Sequence, residues 1–178
     1  MEVRFVMSEM GYKGGLVQSA LHPALLTREY FERYVELVDA CFYKMREELN
    51  IRPYGKHSYS LGSFDELSAN TYLLTEGGEV VGAVTCNGND IGNVVVNPKF
   101  QGKGHGRKLV EFAISHMQKQ GIDDIKLTVA DWNVGAIGLY ESLGFEIQKS
   151  SLIKGENMQN FEGEWGFRFV ETEGLDIR

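Results

Sequence analysis

The sequence has few of the residues that mark several protein classes. Only two cysteines occur in 178 residues, Cys41 and Cys86, each inside an apolar pattern, which argues against a disulfide framework. They read as buried free thiols of a cytoplasmic protein. No apolar run approaches the ~20 residues that cross a bilayer, so no membrane partner is expected. Met1 to Gly15 carries Glu2 and Glu9 where a signal peptide would be apolar. The histidines, His22, His57, His105 and His116, are scattered without ligand spacing, and no metal site is expected. Positive charge is the minority: 18 Lys and Arg against 25 Asp and Glu give −7, which disfavours nucleic acid as a partner. Such a surface would steer amines inward, although many proteins are this acidic for solubility alone. Repeats and low-complexity segments are absent. What remains is an ordinary globular composition, 43% hydrophobic, whose length fits one domain over 1–178.

Periodicity supplies the elements. A first strand is expected over Val3 to Met7. Thr27 is a candidate N-cap for a helix to about Leu49, with Phe31, Tyr34, Val35, Val38, Phe42, Met45 and Leu49 on one face. Arg52 to Phe64 reads as a loop. Thr71–Thr75 and Glu79–Cys86 flank Gly77-Gly78 as a hairpin, and Asn87-Gly88 turns into a strand ending at Val96. A helix over Gly104–Gln120, a strand over Asp124–Val129, a short helix from Asn133 to Leu143 and a strand over Phe145–Ile153 follow. Trp165, Phe167 and Phe169 alternate as a last strand with a fraying tail. The order implies a mixed α/β sheet.

The most informative stretch is Val94-Val95-Val96-Asn97-Pro98-Lys99-Phe100-Gln101-Gly102-Lys103-Gly104-His105-Gly106-Arg107. A β-branched run stops at proline, passes through three alternating glycines and opens into an amphipathic helix. Backbone N–H groups then converge at a helix N-terminus, where the dipole favours an anion such as a pyrophosphate. The dinucleotide fingerprint and the Walker A loop both fail: Arg107 or Leu109 stands where the third glycine belongs, and Arg107-Lys108 follows Gly106. The pattern that fits is Q-x-x-G-x-G, as Gln101, Gly104 and Gly106. An ordinary strand-to-helix turn is its alternative.

A second segment runs from Leu127-Thr128-Val129 through Asn133, Ala136 and Tyr140 to Leu143-Gly144-Phe145. Together, in this order, the two segments resemble the cofactor-binding core of the GNAT superfamily of N-acetyltransferases, over roughly 71–153. Gly135 and Gly138 depart from it, lying where better helix formers are usual. The resemblance implies a mixed, mostly antiparallel central sheet flanked by helices, with a strand pair splayed at a bulge to admit acetyl-CoA. Residues Gln101, Gly102, Lys103, Gly104, His105, Gly106 and Arg107 would hold the pyrophosphate, with Lys103 and Arg107 free to pair with phosphates or only with solvent. His105 fills a variable motif position and reads as a solvated loop residue. Val94, Val95 and Val96 would hold pantetheine through backbone groups, and Asn133 would contact it or simply cap a helix.

Tyr140 matches the family's general acid beside the sulfur; a packing role, with its hydroxyl on a main-chain group, is the alternative. Asp90 stands at the start of the splayed strand, where histone-modifying relatives carry a glutamate, and is the candidate general base through a bridging water. It also belongs to the turn sequence Asn87-Gly88-Asn89-Asp90. Glu76 and Asp131 are fallback bases. At pH 7, deprotonation costs about 4.6 kcal/mol for a lysine-like amine and about 1 kcal/mol for an N-terminal amine. The implied activity is acetyl transfer from acetyl-CoA to a primary amine of a small molecule or peptide through a ternary complex. The contrasting reading is an idle acyl-CoA sensor. Residues 1–70 and 154–178 would build the acceptor site or a homodimer contact through the final strands, with aromatics between Tyr30 and Tyr59 as core or cleft. The acidic tail, Glu162, Glu164, Glu171, Glu173 and Asp176, belongs to the same question.

Overall fold

The computed structural model describes residues 2–55, 64–162 and 165–175, so His57, Tyr59, Glu164, Asp176 and most of the Arg52–Phe64 loop lie outside the described residues. The strands are β1 (Glu2–Tyr12), β2 (Ala24–Leu25), β3 (Thr71–Glu76), β4 (Glu79–Asn87), β5 (Asp90–Val96), β6 (Lys126–Ala130), β7 (Phe145–Gln159) and β8 (Trp165–Leu175). The helices are α1 (Phe31–Glu48), α2 (Phe64–Ser68), α3 (His105–Lys119) and α4 (Val134–Leu143). All eight strands form one sheet in the order β2-β3-β4-β5-β6-β1-β7-β8. Every neighbouring pair is antiparallel except β5 and β6. The mixed, mostly antiparallel sheet is therefore present. No helix among the described residues is long and apolar enough to cross a membrane.

Alternation along β5 separates two cores. Val95 joins Tyr34, Leu37 and Val38 of α1 with Leu73, Val80 and Ala83 on one face. Val94 and Val96 pack on the opposite face, against Leu109, Val110 and Ile114 of α3 and Tyr140 of α4. Adjacent residues of a strand point to opposite faces, so helices cover both sides of the central strands. Tyr34 and Leu109 are fully buried, each worth roughly 1.5–3 kcal/mol relative to exposure.

Several boundaries differ from the sequence reading. The first strand runs on to Tyr12 because it is enclosed, pairing β6 along Met7–Gly11 and β7 along Glu2–Tyr12. Thr27 makes no side-chain cap, and a 3-10 turn at Arg28–Tyr30 precedes α1. On α1 the buried set includes Leu37 and Arg46. Arg46 donates to Asp39 Oδ1 at 3.2 Å and to the Tyr54 carbonyl at 3.2 Å, which compensates its charge. The last strand does not fray after Phe169: it pairs β7 as far as Leu175. Lys154 bridges to Glu171 and Glu173, and Arg168 donates to Glu156 at 2.9 Å. Short α2 and β2 had no sequence signal.

Gly82 of β4 lies where an added Cβ would stand 2.7 Å from the Val95 carbonyl oxygen and 2.9 Å from Leu109 Cδ1. Since the carbonyl belongs to a paired strand, Gly82→Ala is expected to cost about 1–3 kcal/mol in chemical denaturation. Gly174→Ala, with nothing within 4 Å, should stay within about 0.5 kcal/mol.

Candidate active site

The site begins where two strands part. β5 and β6 pair only at Asp90–Lys126 and Ile91–Leu127. Past that point the register of β5 against β4 slips, from Gly92 opposite Thr85 to Val95 opposite Ala83. Asn93, inside the slip, has φ +44°, a left-handed conformation that asparagine tolerates better than a β-branched residue such as Val94. Its amide donates to Tyr34 Oη at 3.3 Å, tying the bulge to α1. A bulge bends its strand and increases twist, so β5 swings away from β6. The edge of β5 from Gly92 to Val96 that faces β6 has no strand partner among the described residues.

A cavity of about 390 Å³ fills the parting. Asn93 and Val94 of β5, Thr128, Val129 and Ala130 of β6, and Asn133 and Tyr140 line it. So do Val38, Phe42, Met45 and Arg46 of α1, Phe5 and Met7 of β1, Ile153 of β7 and Phe169 of β8. Tyr140 belongs to the core under α3 and Val38 to the core under α1, so the cavity passes through the sheet. No Asp or Glu lines it among the described residues.

Tyr140 packs edge-on against Phe145, ring centroids 6.0 Å apart. Its hydroxyl has no hydrogen-bond partner among the described residues, and burial pushes it up to about 12. The hydroxyl therefore keeps its proton at any pH near neutrality. The main-chain anchor that a packing tyrosine would have is not found. Asn133 caps α4, its side-chain oxygen accepting from the Ala136 N–H at 3.1 Å. It also lines the cavity, so both of its expected roles are geometrically compatible.

The glycine loop follows the open end of β5, and none of Gln101 to Arg107 lines the cavity. Gln101 Nε2 donates to the Val96 carbonyl at 2.9 Å, tying the loop to the end of β5. Gly102 and Gly104 have φ +74° and +82°, with nothing within 4 Å of an added Cβ. The open space and left-handed backbone suit a pyrophosphate cradle, and α3 starts at His105 immediately beyond. An added Cβ at Gly106 would touch Leu139 of α4 at 3.6 Å and Val96 at 3.7 Å, so the loop sits between β5 and α4. Lys103 lies 5.3 Å over the Phe100 ring, and Arg107 donates to Ser142 Oγ at 2.6 Å. His105 is not the solvated loop residue expected. It is the first residue of α3, 9% exposed, and its Nδ1 has no partner among the described residues.

Asp90 stands at the closed end of the strand pair and does not line the cavity. Desolvation, then the charge of Glu9, raises its pKa. Of the fallback bases, Asp131 accepts from Ser8 Oγ at 2.6 Å, and Glu76 ends β3 at the glycine hairpin. The cavity walls from β1 and β8, and Arg46 and Thr128, were missed as site residues. Asn93 was missed too, although an asparagine interrupting a β-branched run is a readable bulge signal. Among the described residues no group of three or more His, Cys, Asp or Glu could hold a metal.

The family model described as Acetyltransferase (GNAT) family matches residues 31–145. Ribosomal protein bS18-alanine N-acetyltransferase of Escherichia coli is 45% identical over 53 residues, 30% of this chain and 36% of that one. An uncharacterised N-acetyltransferase of Methanocaldococcus jannaschii is 36% identical over 95 residues, 47% of this chain and 41% of that one. The matches thus span well under half of these relatives. A solved GNAT-family acetyltransferase of Colwellia psychrerythraea superposes with TM-score 0.64 at 15% identity, covering 93% of this chain and 56% of that one.

Cys41 donates to the Val96 carbonyl at 3.3 Å, and burial raises its pKa to about 11 and that of Cys86 to about 12. Both thiols should stay neutral below pH 9, so native protein should react with iodoacetamide far more slowly than urea-unfolded protein.

Proposed function

The chain belongs to the acetyltransferase (GNAT) family, and on that premise we propose that it transfers the acetyl group of acetyl-CoA to a primary amine of a small molecule or peptide, in the cytoplasm, by direct attack in a ternary complex. The observation that carries this reading is the parting of β5 from β6, with an unpartnered tyrosine hydroxyl inside it and a left-handed glycine loop at its end. Gln101 to Arg107 would hold the pyrophosphate, and the open edge of Val94, Val95 and Val96, with Asn133, the pantetheine. Acetyl-CoA supplies an acyl group activated as a thioester.

Tyr140 supplies a hydrogen bond to the departing sulfur. At about 12 its hydroxyl lies well above the ~8.5 of an ordinary thiol. Complete proton transfer to the departing sulfur is therefore uphill, and Tyr140 acts chiefly by donating a hydrogen bond as negative charge develops there. No carboxylate among the described residues lines the cavity, so the amine must give up its proton to water. Asp90 serves as base only through water, from the closed end of the strand pair. The idle acyl-CoA-binding alternative gives an unpartnered hydroxyl in the gap nothing to do. A homodimer would pair along β8, the outer strand, where Val170 is exposed.

The test is calorimetric titration with acetyl-CoA and dephospho-coenzyme A, followed by an acetylation assay. Micromolar binding with turnover is expected; binding without turnover on any amine would favour the sensor, and no binding would remove the reading. Tyr140→Phe should lower kcat about 10²-fold with acetyl-CoA affinity unchanged. Because Tyr140 is protonated below about pH 12, the rate should rise with pH as the amine deprotonates, with no falling limb from this residue below about pH 11. Gly104→Val, at φ +82°, should weaken acetyl-CoA binding at least tenfold; normal affinity would sink the loop assignment.

A further inference from the structure

We infer that the acceptor is a weakly basic α-amine joined to an apolar side chain, held in an aromatic and methionine-lined cleft between α1 and the β1-β7-β8 side of the sheet. The inference rests on the acetyltransferase reading and specifies its second substrate.

The cavity is larger than the parting of β5 and β6, since it extends on the α1 side to strands the donor does not need. Tyr140 and Val94 mark the chemical end. Beyond them the walls are Phe5 and Met7 of β1, Phe42 and Met45 of α1, and Phe169 of β8. An aromatic file leads inward from the surface. Phe169 is 61% exposed, its ring stands edge-on to Phe167 at 5.1 Å, and Phe167 is 6.4 Å from Phe5. An exposed phenylalanine at the mouth of an apolar cavity is a surface that a ligand's apolar group would cover. At about 390 Å³ the cavity falls at the small end of small-molecule sites.

Charge narrows the class further. Arg46 is the one formally charged residue among the described lining residues, and its guanidinium is bound to Asp39 at 3.2 Å. The chain's excess of acid is therefore placed elsewhere, and no carboxylate among the described lining residues meets a second ammonium. Polyamines and aminoglycosides would bury cations against an arginine. An amine must shed its proton before entering, which is easy for an α-amine near 7.8 and costly for a lysine side chain near 10.4. Apolar contact and low basicity together select an α-amine beside an apolar side chain.

The test is a panel assayed by thiol release at saturating acetyl-CoA and pH 7.5. It comprises tetrapeptides beginning with Phe, Leu or Gly, phenylalaninamide, an Nα-blocked lysine peptide, and spermidine. kcat/KM for the Phe and Leu peptides is expected at least about tenfold above the Gly peptide, the scale of one apolar pocket contact. Spermidine and the blocked lysine peptide should fall about a hundredfold below. Phenylalaninamide matching the Phe peptide would identify a small free amine as the source; a strong preference for the peptide would identify a peptide N-terminus. Either supports the inference. Spermidine or lysine equal to or above Phe, a flat panel, or no acetylation by protein that binds acetyl-CoA overturns it and leaves the donor site standing. Failure to bind acetyl-CoA by calorimetry overturns the parent reading as well. Phe42→Ala should erase the Phe-over-Gly preference while acetyl-CoA affinity is unchanged; if that variant does not fold, Phe169→Ser at the exposed mouth should reduce the same preference. Retention of the full preference in the folded variant counts against the cleft.

Discussion

Paired strands stay paired unless something makes separation tolerable, because an orphaned N–H or C=O away from water is costly. β5 leaves β6 after two residue pairs, and the rest of the site depends on how that separation is stabilised. Asn93 supplies the bend and is anchored to Tyr34. The Val96 carbonyl at the far end receives both Gln101 Nε2 and Cys41 Sγ. α1 on one face and α3 on the other hold β5 through Val95 and through Val94 and Val96. The strand is thus fixed on both faces and along its β4 edge, and only the edge toward β6 is left open.

Burial then sets the chemistry inside. The same packing that encloses Tyr140 keeps its proton in place and leaves its hydroxyl without a competing protein partner. The same apolar walls hold no described carboxylate. A hydrogen-bond donor is therefore built into the cavity, whereas no described carboxylate lines it. Two groups expected as acid and base thus lie in different settings, Tyr140 in the cavity and Asp90 where the strands are still joined.

Local chemistry was legible in the sequence and distant pairing was not. Gly102, Gly104 and the Gly77-Gly78 hairpin could be read because left-handed backbone at glycine is a property of a few adjacent residues. Tyr140 and Asn133 could be placed by their spacing within one motif. Phe5, Met7 and Phe169 could not be, since a periodic apolar residue looks the same whether it faces a core or a cavity. Nothing local says that β1 lies between β6 and β7. His105 was misread because a histidine between two glycines looks solvated, although the loop turns it inward. Arg46 broke the apolar pattern of α1, and its burial is explained by partners that include Asp39 and the Tyr54 carbonyl.

The position of β1 also bears on how the molecule assembles. From β3 to α4 successive elements lie close in sequence, so the glycine loop and Tyr140 can come together through short-range closures. The β1 pairings with β7 join residues as far apart as Glu2 and Glu156, and contacts of such separation form slowly because a long loop must close first. The part of the cavity built on β1 therefore waits on the longest loop closures. On the proposed assignment β1 supplies part of the acceptor wall, so turnover, unlike nucleotide binding, would report that β1 has joined the sheet between β6 and β7.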